Sequence, residues 1–258
     1  MDLFLTMINH NNRKVSCLDN IFVVQLKYYR IVQMETRRMG DLLNILINSN
    51  IFAELPETVI LDEILPHGQV QRYGKGQYLI QHQQLVNRFA VILSGRVNIM
   101  HIFPEGSSSL MTVLTDGAVL AADLIFTRTR ISPYHAMAVA ETCVVYFPVE
   151  LLTTAGLLTE SWRQAVLNNL LMLISQENIK KEYRLAILSQ RGLRERIMTF
   201  LTMQANRIQD TTVIISFSRE ELASYLCVNR SALSHELSMM QQEGLITFRK
   251  NVFTIHKI

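Results

Sequence analysis

This chain has no long apolar run. No stretch reaches the roughly 18 consecutive apolar residues that cross a bilayer, so no membrane partner is expected. Its three cysteines, Cys17, Cys143 and Cys227, show neither metal-ligand spacing nor an even pairing. That excludes a disulfide framework and a cysteine metal site, and it implies reduced thiols in a cytoplasm. Charge is scarce, at 18% of residues with a net of +3, which permits nucleic-acid binding without demanding it. The N-terminus lacks a basic region and a small-residue cleavage site, so a signal peptide is not expected. His67, His82, His101 and His135 form no His-x-His pair with a following Glu, so neither a metal site nor a catalytic residue is expected. What the chain does have is apolar residues, 49% of 258, enough for a sizeable core.

The most informative stretch is residues 217–237, FSREELASYLCVNRSALSHEL. Ser218 with Glu221 three residues on makes a capping box. Leu222 and Leu226 share a face of a first helix, and Leu233 and Leu237 put a matching stripe on a second. Ala223 is small where the two helices must approach. Cys227 stands at the turn where glycine is usual, because φ is often positive there. The second helix opens with Asn229, Arg230 and Ser231 and presents Ser234 and His235 a turn later, which are hydrogen-bonding groups on the turns that meet base edges in a major groove. A helical hairpin packed in a core has the same pattern. The sequel favours the helix-turn-helix. Glu243-Gly244 ends the helix with a glycine C-cap, and residues 246–255 read as a hairpin wing with Arg249 and Lys250 at its tip, placed to touch phosphate.

Upstream, residues 51–147 read as short strands between turns at Gly74-Lys75-Gly76, Ser94-Gly95, Pro104-Glu105-Gly106 and Asp116-Gly117. Turn signals at roughly 8–12 residue spacing predict an antiparallel sandwich or roll. From Ser161 to Leu188 there is neither Gly nor Pro. Trp162, Val166, Leu170, Leu173 and Ile174 recur at helical steps. A second copy of the same helix would cover this stripe, making a homodimer; the alternative is that it packs on its own sheet. Gln190-Arg191-Gly192 is read as a hinge, and Leu193–Arg207 as a further helix. Residues 1–38 are read as an N-terminal extension without a packed role, expected to be disordered, the alternative being an arm docked on a partner subunit. Met34 and Met39 are both plausible starts. A dimer suits the reader, since two recognition helices one DNA turn apart read two half-sites of a palindromic site.

The order of sheet domain, long helix, hinge and winged helix-turn-helix resembles the Crp–Fnr family of bacterial transcription regulators. The resemblance covers roughly Ile51 to the C-terminus and is carried most specifically by Leu93-Ser94-Gly95-Arg96-Val97 and by residues 218–246, with Asn229-Arg230-Ser231-Ala232-Leu233-Ser234 at its centre. It implies an α+β chain: an N-terminal antiparallel β-roll (a double-stranded β-helix like the cyclic-nucleotide-binding domain) over 39–150, a dimerisation helix and hinge over 151–190, and a winged helix-turn-helix over 191–258. It implies base contacts from Arg230, Ser231, Ser234 and His235, phosphate contacts from Ser218, Arg219, Arg249 and Lys250, and RNA polymerase as a partner. A glutamate often follows the arginine matched by Arg230; here Ser231 does, so the half-site should differ from the family's best known. Members that bind cyclic AMP need Gly-Glu and an arginine in the roll. Here Ala121-Ala122 and Ser132-Pro133-Tyr134 fall at those places, so cyclic AMP is not expected. With Cys17 alone near the N-terminal region, an iron–sulfur cluster is not expected either. The implied effector pocket would be lined by Leu120, Ala121, Ala122, Tyr134 and Leu170 and would take an unidentified small molecule. Haem, with His82, His101 or His135 as an axial ligand, is disfavoured, and a pocket packed shut is the alternative.

Two rival functions are a cupin-like metal enzyme and a dimerisation adaptor that binds no DNA. The first is disfavoured by the missing histidine pairing, and the second is disfavoured as well.

Overall fold

The computed structural model describes residues 36–256. The extension expected over 1–38, with Cys17, therefore lies outside the described residues except for 36–38, the start of helix α1 (Thr36–Ile47). Residues 50–67 correct the expectation of strands from Ile51, for they form short helical turns. Ile51, Phe52, Leu55, Val59, Ile60 and Ile64 are all buried. They recur at one, three and four residue steps, a helical rather than an alternating period.

The roll follows. Its strands are β1 (Gln69–Tyr73), β2 (Tyr78–Ile80), β3 (Arg88–Ser94), β4 (Val97–Ile102), β5 (Ser108–Leu114), β6 (Val119–Leu120), β7 (His135–Ala138) and β8 (Thr142–Pro148). They make two four-stranded sheets in the orders β1-β8-β3-β6 and β2-β7-β4-β5, with every pairing antiparallel. In β3, Ala90 and Ile92 face the space between the sheets, while Phe89, Val91 and Leu93 face the other way into a second apolar layer. In β8, Val144 and Tyr146 point inward, and Val145 and Phe147 outward. A strand buried on both faces reads as a continuous apolar run. Strand β8 is such a run, and the sequence joins it to β7 as one largely apolar segment. Strand β1 escaped the sequence reading because it is a sheet edge and largely exposed.

Helix α2 (Glu150–Thr153) leads to α3 (Glu160–Leu188), 29 residues long. Val166 and Leu170 are buried in the outer layer with Phe52, Phe89, Val91 and Phe147, and Trp162, Leu173 and Ile174 pack against it. Phe147 stacks on Phe89 and meets Phe52 edge-on, both at 5.5 Å between ring centres. Asn169 donates from Nδ2 to the Ile51 and Ala53 carbonyls. The stripe predicted to be the seam with a partner thus covers the chain's own sheet, because the outward side chains of β3 and β8 need cover. A different set on α3 stays exposed: Leu171, Met172, Ile179, Tyr183 and Leu185.

The C-terminal unit has α4 (Leu193–Ile208), β9 (Thr212–Ile214), α5 (Arg219–Tyr225), α6 (Arg230–Gln242), β10 (Ile246–Arg249) and β11 (Val252–Ile255), with its strands in the order β10-β11-β9. Ile197, Phe200, Leu201, Leu222, Leu226, Leu233, Leu237, Met240 and Phe253 form its core. Among the described residues no helix is long and apolar enough to cross a membrane.

The turn between β3 and β4 tolerates glycine alone. Gly95 has φ +107°, and a Cβ there would lie 2.5 Å from the Glu141 carbonyl and 2.7 Å from the Thr142 Cα. Gly95→Ala is expected to lower the stability of the protein by about 2 kcal/mol or more, from strain and backbone collision together. Urea unfolding followed by circular dichroism measures it.

Candidate nucleic-acid interface

The two helices of the C-terminal unit begin on side-chain caps. Ser218 Oγ accepts from the Glu221 backbone N–H, and Glu221 Oε2 accepts from the Ser218 N–H, so the capping box is complete. Asn229 Oδ1 accepts from the Ala232 N–H at 2.7 Å and caps α6. Ser231 donates its hydroxyl to the same oxygen. Between the helices Cys227 has φ +57°, so the left-handed turn forms although a cysteine stands where glycine is usual.

On α6 the buried face is Leu233, Leu237 and Met240, while Arg230, Ser231, Ser234, His235 and Ser238 are exposed. The structure therefore brings all four expected base-contacting residues onto the outer face of the helix's first two turns. Arg194 of α4 holds that helix from behind, through Glu236 Oε1 at 2.7 Å and both carboxylate oxygens of Glu243. Sequence reasoning missed this brace, since Arg194 has no neighbour in sequence to betray it.

The expected phosphate contacts are also brought to one side. Ser218, Arg249 and Lys250 are exposed, and Lys250, with φ +54°, forms the wing turn. Arg219 differs. Its guanidinium lies 5.1 Å from the Phe248 ring centre and 5.3 Å from that of Phe253, and it donates to the Lys250 carbonyl. Burial, and after it the neighbouring Arg230 charge, draws its pKa below the usual arginine value. Arg219 thus ties the wing to the first helix while adding its charge to that of Arg230.

The first helix is also docked on the roll. Arg96, next to Gly95, donates to Glu221 (2.9 Å at Oε2) and to the Ser216 carbonyl. Burial pushes the Glu221 carboxyl up, but the hydrogen bonds from the Ser218 N–H and from Arg96 outweigh it, and its pKa lies below the usual carboxylate value. The Ser224 hydroxyl accepts from the Leu110 N–H at 2.9 Å, occupying a backbone donor of β5, an edge strand. Arg184, near the end of α3 and 8% exposed, donates to Ser109 Oγ, Met111 Sδ and the Tyr225 carbonyl. None of these contacts is visible in the sequence, because each joins residues far apart in it.

The five residues expected to line an effector pocket fall in two layers. Leu120, Ala121 and Tyr134 meet between the sheets, whereas Ala122 and Leu170 belong to the layer under α3. Ala121 has φ +67° and is 4% exposed. Tyr134 donates its hydroxyl to Asp123 Oδ1 at 2.8 Å, and burial, then Asp123, raises its pKa far above the ordinary phenol value. Asp123 also pairs with Lys181 of α3 at 3.6 Å. His82 and His135 approach on the roll, with ring centres 6.0 Å apart. Burial, then His82 and His101, lowers the His135 pKa. Among the described residues no group of three or more His, Cys, Asp or Glu could hold a metal ion.

Comparison with known proteins agrees with this architecture. A cyclic nucleotide-binding domain model matches residues 70–155, and a Crp-like helix-turn-helix domain model matches residues 195–258. The chain is 26% identical over 192 residues to the transcriptional activator protein Anr of Pseudomonas aeruginosa, covering 72% of this chain and 75% of that protein. Solved structures share the fold. FixK2 of Bradyrhizobium japonicum has a TM-score of 0.56 at 17% identity over 74% of this chain and 93% of its own. A CooA mutant of Carboxydothermus hydrogenoformans has a TM-score of 0.60 at 18% identity over 78% and 90%. A cyclic-nucleotide-type roll followed by a Crp-like helix-turn-helix is the composition of the Crp–Fnr transcription regulators, which are not enzymes, and this chain belongs to that family.

Proposed function

We propose that the protein is a sequence-specific transcription regulator that binds palindromic promoter DNA as a homodimer and is gated by a small molecule other than cyclic AMP. The proposed division of labour is a sensing roll over 39–150, a dimerisation helix and hinge over 151–190 and the DNA reader over 191–258, acting in the cytoplasm on RNA polymerase. The observation that carries the reading is the outer face of α6, where Arg230, Ser231, Ser234 and His235 stand exposed at the capped end of the helix. An arginine there can donate two hydrogen bonds to guanine O6 and N7, and serine and histidine can read neighbouring edges. Ser218, Arg219, Arg249 and Lys250 flank that face with backbone-gripping groups, which set register rather than sequence.

Dimerisation is supported by α3. Met172, Ile179 and Tyr183 follow one another at seven and four residue steps, and each is more than half exposed. An apolar stripe of this period suits a second copy of the helix. The reading against cyclic AMP is supported by Ala121 and Ala122, which have no group to hold a ribose hydroxyl, and by Tyr134, whose hydroxyl is engaged by Asp123. Leu120, Ala121 and Tyr134, the three that meet between the sheets, make a mainly apolar surrounding that suits an apolar effector. Mass spectrometry and absorbance of the purified protein would identify one that co-purifies.

Selection of duplexes from a random pool, followed by fluorescence anisotropy, tests the DNA-binding reading. A two-fold symmetric consensus is expected, and an unenriched pool would reject the reading. Arg230→Ala should lose about 1–3 kcal/mol of discrimination at one base pair of each half-site, read by competition with single-base variants. Lys250→Ala should instead weaken all sequences alike and lower the slope of log affinity against log salt by about one per reader, read from a salt titration.

A further inference from the structure

The docking of the reader on the roll has a geometry that bears on which DNA the protein can read. Helix α5 is held along its whole length. At its start, Glu221 is gripped by Arg96, and Asn98 Nδ2 adds a longer contact of 3.4 Å. Near its end, the Ser224 hydroxyl sits on the β5 edge between the Leu110 N–H and the Ser108 carbonyl. At its last residue, the Tyr225 carbonyl accepts from Arg184 Nε and Nη2, and the Arg184 guanidinium lies 5.1 Å from the Tyr225 ring centre.

Arg184 is the unusual member. Its hydrogen-bond partners among the described residues are all neutral: Ser109 Oγ, Met111 Sδ, the Tyr225 carbonyl and, at 3.9 Å, Cys227 Sγ. A buried guanidinium without a carboxylate is costly, and its donors form a rigid planar fork. It is therefore tolerated where several acceptors are held in fixed directions, here from β5 and the reader at once. Cys227 fits the same account. Its left-handed turn would suit glycine, yet its Sγ lies 3.4 Å from Ser109 Oγ, a contact glycine cannot make. Because α5 and α6 share the core of Leu222, Leu226, Leu233 and Leu237, whatever fixes α5 against the roll also fixes the recognition helix.

We infer that Arg184 and Arg96 are positioning residues for DNA reading: they fix the angle of each reader on its roll and thereby the half-site spacing that a pair of readers accepts. The inference rests on the proposed reading of the chain as a two-fold DNA-binding regulator. In that arrangement the separation of two recognition helices follows from the reader angle, and a loosened reader must be ordered anew on each binding event.

The test uses the full-length protein and the consensus selected from the random pool. Anisotropy is measured on palindromes with the selected spacer, on palindromes with the spacer lengthened or shortened, and on a duplex holding a single half-site. Arg184→Met should lose about tenfold in affinity at the selected spacing, the size expected of one buried coupled network. It should lose far less at the altered spacings and nothing on the half-site, so the spacing profile flattens. Arg96→Gln, at a partly exposed position, should flatten the profile in the same direction, and Arg96→Lys should restore part of it. If Arg184→Met fails to fold by circular dichroism, the Arg96 pair of variants decides. The inference is overturned if the folded variants keep the wild-type spacing profile, or if half-site affinity falls as far as that of the palindrome, which would mean damage to the reader itself. Wild-type protein that selects no palindrome overturns the functional reading as well, whereas a wild-type preference left intact in the variants overturns this inference alone.

Discussion

Val166 and Leu170 enter the layer made by Phe52, Phe89, Val91 and Phe147, and this packing decides where α3 runs. Strands β3 and β8 are apolar on both faces, so the first sheet cannot stand without a cover on its outer side. Once α3 supplies that cover, its remaining turns run on toward the second sheet, and Arg184 arrives beside β5 as a consequence. The C-terminal unit then meets the second sheet at β4 and β5, the places where Arg96, Asn98, Ser109 and Leu110 are presented to it. An interaction of ordinary chemistry, apolar burial on a sheet face, thus sets the geometry on which the polar contacts depend.

Inside the C-terminal unit the constraint is different. Two short helices are stable there because their ends are capped by Ser218 and Asn229 and because Leu222 and Leu226 meet Leu233 and Leu237 in one core. Arg194 and Arg219 then act as braces, one holding α6 through Glu236 and Glu243, the other joining the wing to α5 across Phe248 and Phe253. On the outer face of α6 the Ser231 hydroxyl supports the Asn229 cap and the Ser238 hydroxyl donates to the Ser234 carbonyl, both bonds local to the helix.

The elements that were legible in the sequence are those whose signals are local. The capping box and the two apolar stripes specify the helix-turn-helix within about twenty residues of chain, even though Cys227 takes the turn position where glycine is usual, and turn residues mark most of the roll. Three things were hidden for physical reasons. Residues 50–67 keep a helical spacing of apolar residues but are broken into several short turns, each too brief to stand out from the strands that follow. The stripe of α3 has the same composition whether it covers a sheet or a partner, so composition could not say that Val166 and Leu170 face the roll. The placement of Arg96, Arg184 and Glu221 depends on tertiary approach, and a lone cation or carboxylate carries no mark of its partner. The effector lining is the least legible part, since Leu120 and Leu170 look alike in the sequence and yet lie on opposite sides of one sheet.

The two ends of α5 are anchored by unlike chemistry. At the start, the Arg96 and Glu221 side chains are 27% and 15% exposed, close enough to solvent for dissolved ions to screen their attraction. At the end, Arg184 is shut away and bonded to neutral acceptors, which mobile ions hardly touch. Rising ionic strength therefore weakens one anchor and spares the other. The hold on α5 thereby becomes uneven, eased at Glu221 and kept at Tyr225, because the two ends of one short helix sit in unlike dielectric surroundings.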